Sequence, residues 1–150
     1  MNNMASKIFS LMIFSLVLFT TSAHAQYTGK MEVKIPFDFV AGDTKLAAGE
    51  YTVRPIYTDA NCMLLIQSHD GQKQAMVASK SMQAREIQYQ RKLIFNHYGD
   101  NYFLAQVWLP GSDRGRGLFK SSHETELAKR VSNPEIVTLI GHQPTSERRQ

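Results

Sequence analysis

Residues 92–109, KLIFNHYGDNYFLAQVWL, constrain more than any other stretch what this chain can fold into. Two apolar, aromatic-rich runs flank a Gly99-Asp100-Asn101 break, the pattern of a β-hairpin. Two registers compete. A two-residue loop at Gly99-Asp100 pairs Tyr98 with Asn101 and mixes polar and apolar residues on both faces. A three-residue loop over 99–101 pairs Tyr98 with Tyr102. It gathers Leu93, Phe95, Phe103, Ala105, Val107 and Leu109 on one face, with His97 the sole intruder. A one-residue slip reverses every side chain, so the register that sorts the faces is preferred. Asn101 then takes the left-handed conformation, which Asn tolerates better than most residues. The second face, carrying Ile94, Asn96, Tyr98, Tyr102, Leu104, Gln106 and Trp108, is half apolar and calls for a partial cover.

The flanking chain extends the β reading. Residues 32–39 alternate strictly, with Val33, Ile35, Phe37 and Phe39 on one side. Pro36 on the other side places this strand at an edge or a bulge, because proline cannot donate to the ladder. Reversals at 41–43 and 46–49 precede a strand over 50–56 with Tyr51 and Val53 inward. A turn at 59–61 leads into 62–67, apolar on both faces and therefore central or covered. Asp70-Gly71 predicts a two-residue type I′ turn returning along 74–79. The polar run 81–90 reads as a loop or one turn of helix, and 110–117, PGSDRGRG, as a long loop. Ser121 and Glu124 have capping-box spacing ahead of a helix from Glu124 to Val131, with Leu127 and Val131 as its buried side. Asn133-Pro134 stops that helix, and 135–140 is a last strand. The expected fold is mainly β: a small antiparallel β-sandwich or barrel of about seven strands, with one helix in the C-terminal half.

The first 25 residues read as an address. Lys7 precedes an apolar run over 8–19, and Ala23-His24-Ala25 is an A-x-A cleavage site, predicting a signal peptide removed before Gln26. A permanent anchor needs ~18 or more apolar residues, and this run is shorter. The expected product is a soluble periplasmic or extracellular protein with no membrane span, a single domain over 26–140 and a flexible polar tail over 141–150. Removing 25 of 150 residues leaves 125, enough for one core. Loss of Lys7 takes the basic residues from 17 to 16 against 13 acids, a net +3 spread along the chain. Nucleic-acid binding calls for a denser patch and is set aside. Cys62 is the single cysteine, so no intramolecular disulfide forms; its apolar setting reads as a buried, inert thiol.

The stretch IPFDF at 35–39, Gly42, and LAAGEYTV at 46–53 resemble the opening of a family of small exported acidobacterial β proteins. In that family an LPAGEYTV segment is followed by a YGDxYFL hairpin, here 98–104, and a charged K…E.ELA segment, here Lys120 through Glu124, Glu126, Leu127 and Ala128. The resemblance covers most of the mature chain and departs at Ala47, where the family has proline. It implies export and a β fold, and it carries no catalytic residues over.

Chemistry-bearing residues are sparse. His69, His97, His123 and His142 show no zinc spacing and there is no cysteine pair, so no catalytic residue, metal or cofactor is assigned. A site assembled in space from His97 with Glu124 or Glu126 is the enzymatic alternative; a hydrogen-bonded core histidine is the competing reading of His97. Arg114 and Arg116, among three glycines, could hold an anion through guanidinium and amide groups, against a plain solvated loop that Asp113 partly neutralises. Tyr98, Tyr102 and Trp108, within a set that includes Tyr51, Tyr57 and Tyr89, suggest an aromatic platform for sugars or peptides; equally, they cover the second side of the core. The expected function is a non-enzymatic exported binding or envelope-associated domain, its partner an unidentified ligand or envelope protein. The alternatives are a small metal-dependent or hydrolytic enzyme and a subunit of an envelope assembly.

Overall fold

The computed structural model describes residues 29–57, 62–131 and 133–144. The cleavage site at Ala23, Ala25 and Gln26, the turn at 59–61 and the last six residues of the tail lie outside them. Among the described residues ten strands and one helix follow in order: β1 (Met31–Ile35), β2 (Phe39–Ala41), β3 (Thr44–Leu46), β4 (Gly49–Tyr57), β5 (Cys62–Ser68), β6 (Gln74–Gln88), β7 (Arg91–Tyr98), β8 (Asn101–Trp108), β9 (Ser112–Leu118), α1 (Ser122–Arg130) and β10 (Glu135–Gly141). The mainly β class, antiparallel pairing and single late helix are as expected.

Eight strands run β1-β4-β5-β6-β9-β8-β7-β10, all antiparallel. The sheet curls back on itself: Glu32 and His142 exchange both backbone hydrogen bonds, at 2.9 and 2.7 Å, joining β10 to β1. Gly141 and His142 therefore belong to the sheet, not to a polar tail. The β2–β3 hairpin is an appendix. β2 pairs in parallel with β8 at Phe39↔Tyr102 and Val40↔Phe103, along the edge that β9 leaves free after Gln106. Phe39, Phe95, Leu64, Ile66, Leu93 and Ile35 fill the ring and are fully buried. Pro36 ends β1, as its missing N–H requires, and Phe37 still packs on the core from the bend beyond it.

The central hairpin corrects the expected register. Tyr98 pairs with Asn101 across a two-residue Gly99-Asp100 turn, and Gly99 alone takes positive φ there, at 61°, as a type II′ turn requires. The mixing of faces is cured further along: a bulge lies between the pairs Ile94↔Gln106 and Phe95↔Leu104. One extra residue in β8 switches parity mid-strand. Leu104 and Tyr102 consequently point inward with Leu93, Phe95, His97 and Val107, whereas Phe103, Gln106 and Trp108 point outward.

Three local readings also change. The β5–β6 connection is a five-residue loop, not a type I′ turn. Ser68 N–H donates to Lys73 O, and the Asp70 carboxylate accepts from the Ser68 hydroxyl and the Gln72 N–H. Those two bonds, the hydroxyl first, hold its carboxyl below the usual carboxylate range. Residues 81–88 continue β6 and 112–117 are most of β9; the two strands pair from Ser79↔Leu118 to Gln88↔Ser112 as a ribbon. Exposure of most side chains on 81–88 is why no alternating pattern marked this strand. The glycines of β9 make room rather than turns: Gly115 lies under the Trp108 ring and Gly117 under Met82.

Helix α1 covers the outer face of β7 and β8. Ser121 caps it, its Oγ accepting from Glu124 N–H at 3.1 Å. Its buried side is Glu124, whose Oε1 accepts from Asn96 Nδ2 at 2.8 Å. Leu127 is half-buried and Val131 exposed, so the apolar side expected from their spacing is not the packed one. Ser121→Ala is expected to destabilise the domain by ~1 kcal/mol, by removing the buried acceptor for an orphan helix N–H. Urea unfolding of the pair of proteins checks this; an unchanged midpoint would show that the cap carries no stability.

Candidate functional site

A cavity of about 330 Å³ opens at the end of the ring where β4 and β8 finish and β5 and β9 begin. Its floor is Leu64 and Val107, both core residues. Pro55 and Leu109 form apolar walls, and the chain enters across them: a Cβ on Gly29 would stand 3.2 Å from Pro55 Cγ and 3.4 Å from Leu109 Cδ1. The remaining wall is β9. Val107 faces the core and pairs with Arg116, so the period-two alternation of a strand turns Ser112, Arg114, Arg116 and Leu118 to the inside. Leu118 ends in the core, and the two arginines line the cavity above it.

The electrostatics of this wall are one-sided. The Arg116 guanidinium lies 5.2 Å from the Tyr57 ring centroid, a cation–π contact at the rim. Among the described residues the ion pairs are Lys30–Glu32, His97–Glu135 and Lys129–Glu126, so no carboxylate pairs with Arg114 or Arg116. Asp113, which was expected to neutralise them, points outward and accepts from Gln83 Nε2 at 2.9 Å. Among the described residues the cavity lining contains no His, Cys, Asp or Glu. Two hollows of similar size, about 280 and 270 Å³, lie along turns, one between Gly42–Thr44 and Phe119–Ser121 and the other between Ala47–Glu50 and Ser68–Lys73. Neither sets two unpaired cations against apolar walls.

The aromatic platform does not form. Tyr98 and Trp108 are 3 % and 5 % exposed and sit at opposite ends of the hairpin's outer face. Tyr98 packs edge-on against Phe103 and its hydroxyl accepts from Lys120 Nζ at 3.4 Å. Trp108 lies over Gly115 with its Nε1 donating to Gln106 Oε1 at 2.8 Å. Tyr102 is on the inner face, stacked between Phe37 at 3.8 Å and His97 at 4.0 Å. The two-residue turn separates Tyr102 from Tyr98, and the bulge in β8 separates it from Trp108.

Nor do His97 and the helix carboxylates converge. His97 Nδ1 lies 3.0 Å from Glu135 Oε2, its cross-strand partner on β10. Neighbouring Asn96 carries Glu124 on the opposite face, and Glu126 pairs with Lys129. Among the described residues no group of three or more His, Cys, Asp or Glu could hold a metal ion, and no helix is long and apolar enough to cross a membrane.

Of the residues singled out from sequence, the structure thus unites Arg114 and Arg116 with Tyr57. Pro55, Leu64, Val107 and Leu109 were not foreseen as a site. The usable signal was the R-G-R-G-L alternation at 114–118, which places both arginines and Leu118 on one side of a strand. The chain matches no protein-family model, no curated protein and no solved structure.

Proposed function

We propose that this chain is an exported, non-enzymatic binding domain that takes a small ligand at the open end of its β ring. The carrying observation is the cavity itself: a core-floored, largely apolar hollow, at the small end of the size range of ligand pockets, lined by two arginines, Arg116 half-buried and Arg114 exposed. Among the described residues its lining offers Tyr57 and Ser112 as the side chains capable of general acid–base or nucleophilic chemistry; the Tyr57 ring is engaged by Arg116 and the Ser112 hydroxyl by the Arg114 N–H, which favours holding over reacting. The A-x-A sequence before Gln26 and the acidobacterial resemblance support export.

Thermal-shift measurements on residues 26–150 against organic anions, cell-wall sugars and divalent metals test the reading, since a ligand that prefers the native state raises Tm. At one hundred times Kd the gain is about 2.7 kcal/mol, an easily measured shift. Ser112→Trp, which places a large ring on the inner face of the mouth, is expected to abolish it. A hit indifferent to Ser112→Trp would move the site elsewhere, and no hit with any class would remove the binding function.

A further inference from the structure

We infer that the ligand class is an amphipathic organic acid, with an oxyanion head held by Arg114 and Arg116 and an apolar body lying on Pro55, Leu64, Val107 and Leu109. The inference rests on the reading of the cavity as a ligand site and adds what chemistry it selects. The two arginines are separated by one residue on the same side of β9, hence about 7 Å apart along the strand. Each guanidinium presents a planar fork of N–H donors that matches the oxygens of a carboxylate, sulfate or phosphate. Neither has a carboxylate partner among the described residues, and Arg116 is half-buried against the Tyr57 ring.

An inward-facing cation over an apolar floor is an unusual choice for a packed strand. Leu118, two residues from Arg116 on the same side, shows what β9 places there when only packing is required. A neutral apolar molecule would fill the floor and leave both guanidiniums without a counter-charge, and an organic cation would be repelled. A fully polar anion would meet the arginines and leave the apolar floor wet. Only a molecule with both parts matches both walls.

The test compares head groups on one tail. Octanoate, octyl sulfate, 1-octanol and octyltrimethylammonium are titrated into residues 26–150 by calorimetry at low ionic strength. Octanoate or octyl sulfate is expected to bind at least tenfold more tightly than octanol, with octyltrimethylammonium weakest; whichever anion is tighter identifies the preferred head. In the double variant Arg114→Gln, Arg116→Gln the anion should fall to the octanol level while octanol is unchanged. Arg114→Lys with Arg116→Lys, which keeps the charge and loses the fork, should be intermediate. Equal binding of octanol and the anions would overturn the anionic class and leave the binding reading standing; binding of none of the four would overturn both. The comparison on the unaltered protein decides even if a double variant fails to fold.

Discussion

Gly115→Ala is expected to lower stability by about 1–3 kcal/mol, the usual range for overpacking, or roughly 4–12 °C in Tm for a domain of this length. A Cβ at this position would stand 2.5 Å from Trp108 Cε3 and 2.6 Å from Cδ2, and the buried, rigid indole has nowhere to go. Gly117 provides the control. Its Cβ would meet Met82 Sδ at 2.5 Å, but a thioether at the end of a flexible, half-exposed chain can swing aside, so Gly117→Ala should be much milder. Trp108 is the only tryptophan, so its fluorescence reports the site directly: Gly115→Ala should shift the emission to longer wavelength and Gly117→Ala should not. Equal melting temperatures and equal spectra for the two variants would show that the indole does not rest on β9.

Phe95→Ala should be the more damaging change, at about 3–5 kcal/mol, a large part of the total for a single domain. Its ring is fully buried, edge-on to Phe37 at 5.3 Å and to Phe39 at 5.7 Å. It therefore ties the core to the segment that follows Pro36, from the bend at Phe37 to the start of β2. Phe37 is half-buried at the end of the same cluster, and Phe37→Ala should lose distinctly less. Chemical denaturation of the two variants checks the order; a reversed order would place the centre of the core at the stacked end of the ring.

How much of this was legible depended on which forces left a local trace. Strict alternation at Val33, Ile35, Phe37 and Phe39 correctly marked the side that meets the core. The Ser121–Glu124 spacing marked the helix start, because a cap is a contact between neighbours in sequence. The hairpin register was not legible. Phe103 and Leu104 are both apolar, so either can face the core; the two-residue turn selects Leu104, and the bulge beyond it turns Val107 inward as well. The arginines were placed on the wrong element, a loop instead of β9. Glycine in R-G-R-G suggested a loop, whereas here it marks close approach by Trp108 and Met82, side chains brought in from two other strands. Pairing with β9 was likewise needed to make a strand of the polar run 81–88.

The Glu32–His142 bridge has a consequence for the order of events in folding. Its two partners are separated by 142 − 32 = 110 positions of sequence, so the contact that completes the ring is a very long-range one. The entropy of closing so long a segment grows only slowly with length, but pairings of this kind are late and slow to be found. Until His142 is present, β1 and β10 carry bare edges, the feature most prone to pairing with other chains. The fold thus contains its own delay, placing closure of the ring after the pairings between strands that are close in sequence.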